Sequence, residues 1–142
     1  MKLSPRALKL IDANVLIYAA GGDHPYKEPC LRFLQSVREG SQQATADVEV
    51  LQEILHYYQR RRVVALGVDV VNHALTLFPE PITVGVSDLR VAGDLMQRRP
   101  SLDARDALHA AIVLGHGLDG IVSADRGFDA VPEIARFDPK DL

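Results

Sequence analysis

The sequence predicts an α/β protein, a three-layer α/β/α sandwich around a mainly parallel central sheet. Three observations carry that expectation. Short β-rich apolar runs alternate with longer stretches of helical periodicity, a pattern that implies parallel strands joined by right-handed crossovers. Two of those runs, at the start and near the end of the chain, stop directly on an aspartate. The 142 residues are 47% hydrophobic and 25% charged, as in an ordinary globular protein, with no linker-like break or repeat, so a single domain over residues 1–142 is expected.

Taken in order, the first strand is Leu8–Ile11, which stops at Asp12 and leads into Ala13–Ala20, apolar enough for a buried helix. Gly21-Gly22-Asp23-His24-Pro25 is a turn cluster. Leu31, Leu34 and Val37, with Cys30 and Phe33 beside them, then keep helical spacing up to Gly40. Gln43–Ala46 reads as a short strand. Asp47 suits an N-cap, and Val48, Leu51, Leu55 and Tyr58 trace one stripe of the next helix, which ends in Arg60-Arg61-Arg62. Val68–Phe78 forms another helix, closed by Pro79-Glu80-Pro81. Ile82–Val86 alternates in strand fashion, and Ser87 caps a helix carrying Leu89, Ala92, Leu95 and Met96. Pro100-Ser101 breaks that helix and caps Leu102–Leu114, which ends near Gly115 and Gly117. Gly120–Ala124 is a buried strand stopping at Asp125, and Ile134–Phe137 adds a last strand before Pro139.

Sixteen Lys and Arg against 19 Asp and Glu leave a net charge of −3. That is the wrong sign for a protein that coats nucleic acid through bulk positive charge. An enzyme that meets nucleic acid through a local basic patch and bound cations stays open. Cys30 is the only cysteine, which excludes an internal disulfide and a cysteine-based zinc cluster and fits a reducing compartment. Asp12 splits the apolar stretches near the amino end, against a secretory signal. Ala107–Leu114 contains His109 and is far short of the roughly 20 apolar residues of a membrane helix. A soluble, cytoplasmic protein is the expectation.

Open parallel sheets bind ligands beyond the carboxyl ends of their strands, which is where Asp12 and Asp125 fall. Two carboxylates brought together there are unfavourable unless a proton or a cation neutralises them. Either aspartate alone also suits a plain N-cap, and that alternative stays open. The helix beginning at Ser101 carries Asp103 and Asp106 in its first turns. The macrodipole, worth up to roughly 1 kcal/mol, accounts for Asp103. Asp106 lies one turn further in and borders the small apolar residues Ala107, Leu108, Ala110 and Ala111, where a charge needs a partner. A metal shared with Asp12 would provide one.

Glu49 and Glu53, four apart on one helix face, are candidates for the same cluster or members of a solvated face. Carboxylates without sulfur or paired histidine suit Mg²⁺ or Mn²⁺, and no basic side chain is expected among Asp12, Asp106 and Asp125. Zinc is disfavoured, because His24, His56, His73, His109 and His116 show no ligand spacing and His-Glu-x-x-His is absent. There is no dinucleotide-binding glycine motif, Walker loop or Gly-x-Ser-x-Gly elbow. Cys30 is assigned to the core. Arg60-Arg61-Arg62 is a solvated helix end or, with Arg98, Arg99 or Arg105, a phosphate-contacting patch.

Four segments together resemble the PIN domain, and among PIN domains the toxic ribonucleases of bacterial and archaeal VapBC toxin–antitoxin pairs. They are Ile11-Asp12-Ala13-Asn14-Val15-Leu16-Ile17-Tyr18, the helix with Glu53-Ile54-Leu55, Ala104-Arg105-Asp106-Ala107-Leu108-His109-Ala110-Ala111, and Val122-Ser123-Ala124-Asp125-Arg126-Gly127-Phe128-Asp129. The resemblance implies the three-layer sandwich and a metal-dependent endoribonuclease. It implies an acidic cluster of Asp12, Glu53, Asp106 and Asp125, with Asp12, Asp106 and Asp125 as Mg²⁺ ligands, Mn²⁺ substituting, and Glu53 orienting the attacking water. Asn14 and Ser123 match supporting positions, and Ser123 stands where relatives often carry Thr. Asp129 stands at a further acidic position used by some relatives. A homodimer and a small cognate antitoxin that blocks the site are implied as well, with RNA as substrate.

Two other classes compete. A haloacid-dehalogenase-like phosphatase would use Asp12 as nucleophile, but that family wants a second aspartate where Asn14 stands and a later helix lysine, and no lysine lies between Lys27 and Lys140. A non-catalytic binding domain on the same fold would have no need of the complete set of acids.

Overall fold

The computed structural model describes residues 8–142. Strand β1 (Leu8–Ile11) pairs in parallel with β2 (Gln43–Thr45) on one side and β3 (Gly120–Val122) on the other, and β4 (Arg136–Phe137) pairs with β3. The order is β2-β1-β3-β4, and every pairing is parallel. Leu10 sits beside Ile121 and Ile11 beside Val122. Because side chains alternate along a strand, these two rungs point to opposite faces. Leu10 and Ile121 pack with Ile112, Val113 and Phe128, whereas Ile11 and Val122 pack with Val15, Phe33 and Val50.

Helices α1 (Ala13–Ala20), α2 (Lys27–Glu39), α3 (Val48–Arg60) and α4 (Val64–Leu77) cover the second of these faces. Helix α6 (Ala104–Gly115) covers the first, with α5 (Val86–Arg98) packed on it. The three-layer sandwich with a parallel sheet is therefore borne out. Both faces of the sheet are covered, as a parallel sheet requires. Among the described residues no helix is long and apolar enough to cross a membrane. Cys30 is fully buried, and burial pushes its thiol up to about 12.

Several local expectations shift. On α2 the buried residues are Pro29, Cys30 and Phe33, while Leu31 is exposed. On α3 the stripe rotates: Val50, Leu51, Ile54 and Tyr58 are buried, and Val48 and Leu55 are 44% and 40% exposed. Apolar residues cover more than half of this helix's circumference, so periodicity alone does not select the face. Helix α4 starts at Val64, four residues earlier than expected, and its Gly67 lets it approach α3 closely, since a Cβ there would lie 2.8 Å from Tyr58 Cβ. Ile82–Val86 is not a strand. Ile82 forms only an isolated parallel bridge with Asp47. Gly85 rather than Ser87 caps α5, its N–H donating to Asp88 Oδ2 at 2.8 Å. Helix α6 begins at Ala104 behind the cap Asp103, not at Ser101. Strand β3 ends at Val122, two residues early, and β4 keeps only Arg136 and Phe137 of the expected Ile134–Phe137.

Candidate active site

The register of β1 against β3 sets two carboxyl ends side by side, and the residues just beyond them form a hydrogen-bonded knot. Asp12 caps α1, its Oδ1 accepting from Ala13 N at 2.7 Å. Its Oδ2 accepts from Ser123 Oγ at 2.7 Å and from Asn14 Nδ2 at 3.2 Å. Ser123 Oγ accepts in turn from Asp125 N at 2.9 Å and from Asn14 Nδ2 at 3.2 Å. Asp125 caps the following 3₁₀ turn through Gly127 N. The helix-cap reading of both aspartates is thus correct, and it coexists with their convergence. Burial raises the Asp12 carboxyl above its usual range, opposed by the charge of His109 and the bond from Ser123.

From the opposite side α3 and α6 supply Glu53, Asp106 and a residue to which the sequence alone assigns no role. His109 is fully buried on α6. Its Nδ1 lies 2.9 Å from Asp47 Oδ2 and its Nε2 2.6 Å from Glu53 Oε1. Carboxylate oxygens only accept, so both ring nitrogens donate and the ring is an imidazolium. Burial alone would push it the other way, but the bonds it donates to Asp47 and Glu53 and the charges of Asp47 and Asp12 raise it well above the ordinary histidine range. Asp47 uses its other oxygen to cap α3, accepting from Val50 N at 2.7 Å. One buried carboxylate therefore fixes both the start of α3 and the ring that holds Glu53. The expectation of an acid cluster without a basic group is corrected by this ring. His109 places a cation beneath Asp12 and Glu53, all three within 4.8 Å of one another. The available signal was a lone histidine inside the apolar run Ala107–Ala111.

Asp106 differs from the other acids. Among the described residues no side chain or N–H bonds its carboxylate, and burial with the charges of Asp12, Asp125 and Asp103 pushes it up to about 7. Gly127 lies against this pair: a Cβ there would come within 3.1 Å of Asp125 Oδ1 and 3.7 Å of Asp106 Oδ2. Asp12, Asn14, Glu53, Asp106 and Asp125 line one open cleft of about 610 Å³. Asp129 is not part of it. Arg136 holds Asp129 through bonds of 2.8 and 3.3 Å and keeps its carboxyl below the usual range. Glu49 stands beside Glu53, and burial and that neighbour raise its carboxyl. Asp103, expected inside the first turn of a helix capped by Ser101, is itself the cap of α6.

The donor set fits a hard divalent cation. Asp12, Asp106 and Asp125 offer only oxygen, and Asp106 is a partly buried carboxylate repelled by Asp12, Asp125 and Asp103, with nothing bonded to it among the described residues. Both nitrogens of His109 are already committed, so the ring belongs to the scaffold beneath the cleft rather than to the ligands.

A PIN domain profile matches residues 9–134. The chain belongs to the PIN domain family. Ribonuclease VapC13 of Mycobacterium tuberculosis is 36% identical over 131 residues, covering 90% of this chain and 98% of that protein. Ribonuclease VapC7 of the same species is 31% identical, covering 92% of this chain and 90% of that one. Among solved structures, FitAcB from Neisseria gonorrhoeae superposes with a TM-score of 0.73 at 16% identity, over 95% of this chain and 99% of that chain. VapBC2 from Rickettsia felis, bound to a promoter DNA fragment, superposes with the same score, 0.73, at 13% identity, over 92% and 97%. These two likenesses speak for the fold.

Proposed function

We propose that the chain is a Mg²⁺-dependent endoribonuclease, with Mn²⁺ able to substitute, and the toxin of a toxin–antitoxin pair acting in the cytoplasm. The observation that carries this reading is the convergence of Asp12, Asp106 and Asp125 on one cleft, with Asp106 pushed up to about 7 and bonded to nothing among the described residues. A bound divalent cation supplies the positive field that lets an anionic phosphodiester approach and that favours ionisation of the attacking water. Asp12 and Asp106 would hold that cation, and Asp125 would hold it as well or position water. Ser123 and Asn14 keep Asp12 in one orientation. Glu53 has one oxygen tied to His109, while Oε2 is free of hydrogen bonds among the described residues and is the group that orients the water.

The bonding around Asp12 speaks for a ligand rather than a phosphatase nucleophile, because both its oxygens are held by donors and Asn14 is engaged in the same knot. The relatives named as VapC ribonucleases support the activity. A small antitoxin and a second copy of the chain are the proposed partners. An apolar cavity of about 240 Å³, walled by Leu16, Leu31, Leu34, Val70, Ala74 and Leu77, and the exposed Val63, Val64, Leu66 and Val68 favour such contacts.

Expression of the chain is expected to arrest growth, and Asp12→Asn to abolish both arrest and RNA cleavage while the protein stays folded, since the change removes a ligand charge and relieves repulsion. An Asp12→Asn protein that cleaves RNA like the parent would overturn the reading.

A further inference from the structure

Asp47 does more than an N-cap has to do. Capping α3 uses Oδ1 alone, which accepts from Val50 N at 2.7 Å, and a serine or an asparagine would serve there as well. Its Oδ2 accepts from His109 Nδ1 at 2.9 Å, and the ring carries that contact through to Glu53 Oε1 at 2.6 Å. Asp47 and His109 are fully buried, whereas the Glu53 side chain is 17% exposed and stands on the wall of the acid cleft. The three groups therefore form a line from a closed interior end to an open end at the cleft. Backbone fixes the inner end. Ile82, arriving from α4, accepts from Val48 N and donates to Ala46 O, both at 2.9 Å, so the main chain is clamped on each side of Asp47. A buried ion pair adds little stability over well-packed apolar side chains of similar volume, so stability alone does not account for three such groups in line. What the line achieves is geometric. A glutamate side chain is long and rotamer-rich, and a charge-assisted bond to a ring held from behind fixes one oxygen and leaves the other free at the cleft.

We propose that Asp47 is a positioning residue for the cleavage reaction, acting through His109 to fix the Glu53 carboxylate at the cleft. The proposal rests on the ribonuclease reading of that cleft and extends its machinery to a buried residue that does not line it. It also assigns the isolated bridge at Ile82 a part in the site, as the clamp behind Asp47.

Asp47→Asn separates the two duties, since an amide has one oxygen and cannot accept from both Val50 N and His109 Nδ1. Single-turnover cleavage of one RNA is measured over a range of protein concentrations, with and without Asp47→Asn, in the parent chain and in Glu53→Gln. In the parent, Asp47→Asn is expected to lower the saturating rate about 10- to 100-fold with half-saturation unchanged, the scale for losing a partner that orients a working group. In Glu53→Gln the same change should cost less than about twofold, because no carboxylate is left to hold. An equal loss in both backgrounds would overturn the proposal and leave Asp47 a cap and His109 a counter-charge beneath the acids. Should Asp47→Asn fail to fold, Asp47→Ser, whose single oxygen serves the cap, goes through the same comparison. Proton NMR of the Glu53 γ-methylene gives a readout independent of cleavage. Its two resonances should be well separated in the parent, as for a fixed side chain, and should collapse together in Asp47→Asn. If the parent cleaves RNA and the resonances do not change, the positioning role fails and the nuclease stands. If the resonances collapse and the parent does not cleave, the hold on Glu53 stands and the nuclease reading fails.

Discussion

Ser123 Oγ donates to Asp12 Oδ2 across 2.7 Å, a contact between residues 111 apart that the Ile11–Val122 pairing places side by side. The same oxygen accepts from Asp125 N, so a single hydroxyl orients one acid and anchors the backbone of another. Ser123→Ala is expected to lower metal-dependent cleavage by about 10- to 100-fold, the usual scale for losing a group that orients a ligand. Ser123→Thr, which keeps the hydroxyl, should retain most of it. Both are read from kcat/KM on one RNA substrate, and an alanine variant as active as the parent would separate the knot from the chemistry.

The two glutamates of α3 should behave differently. Rotating the buried face to Val50, Leu51, Ile54 and Tyr58 brings Glu53 to its flank, where His109 holds it, and leaves Glu49 further round. Glu53→Gln is expected to cost on the order of 10²-fold in cleavage, as for a positioned proton-transfer group. Glu49→Gln should cost a few-fold. Single-turnover rates decide, and the reverse order would contradict the assignment of Glu53.

The sequence made the sheet legible because its central strands end on chemically distinctive residues: Leu8–Ile11 into Asp12 and the run from Gly120 into Asp125. Each aspartate both caps the next helical turn and faces the cleft, which is why neither could be assigned from the chain alone. Asp47 was legible as a cap and not as the partner of His109, since the partnership needs α6 to pack across the end of α3, 62 residues away. Ile82–Val86 misled because alternation over five residues looks the same in a strand and in an isolated bridge. Gly85 starts α5 where it does, its N–H donating to Asp88 Oδ2 and its carbonyl accepting from Asp88 N and Leu89 N. Asp129 carried an acidic family position, but Arg136, brought over by β4, takes it out of the cleft.

Stability of the metal-free chain should fall as pH rises. Asp106 keeps its proton to about 7 when folded and to 3.8 when unfolded, so the folded state binds more protons between those values. Its contribution is full below 3.8 and lost as pH rises through about 7. His109, raised above 6.5, acts in the same direction at higher pH, and Asp12 acts likewise. Asp129 and Asp138, both lowered from 3.8, matter only in more acid solution. Thermal melts in chelator are expected to show Tm falling between about pH 5 and about pH 8, with Asp106→Asn flattening the slope and raising Tm at the upper end. Mg²⁺ should restore the parent's Tm there and not that of Asp106→Asn. A Tm that climbs with pH in chelator would contradict the repulsion among these acids.

Incubation of the purified chain with RNA, first in excess EDTA and then with Mg²⁺ or Mn²⁺ restored, reads the joint function of Asp12, Asp106 and Asp125 most directly. Intact RNA in chelator and cleavage on return of either metal are the expected results, since carboxylates alone repel a phosphodiester. Full cleavage in excess chelator, by protein whose activity Asp12→Asn still abolishes, would contradict a metal-dependent site built on these three acids.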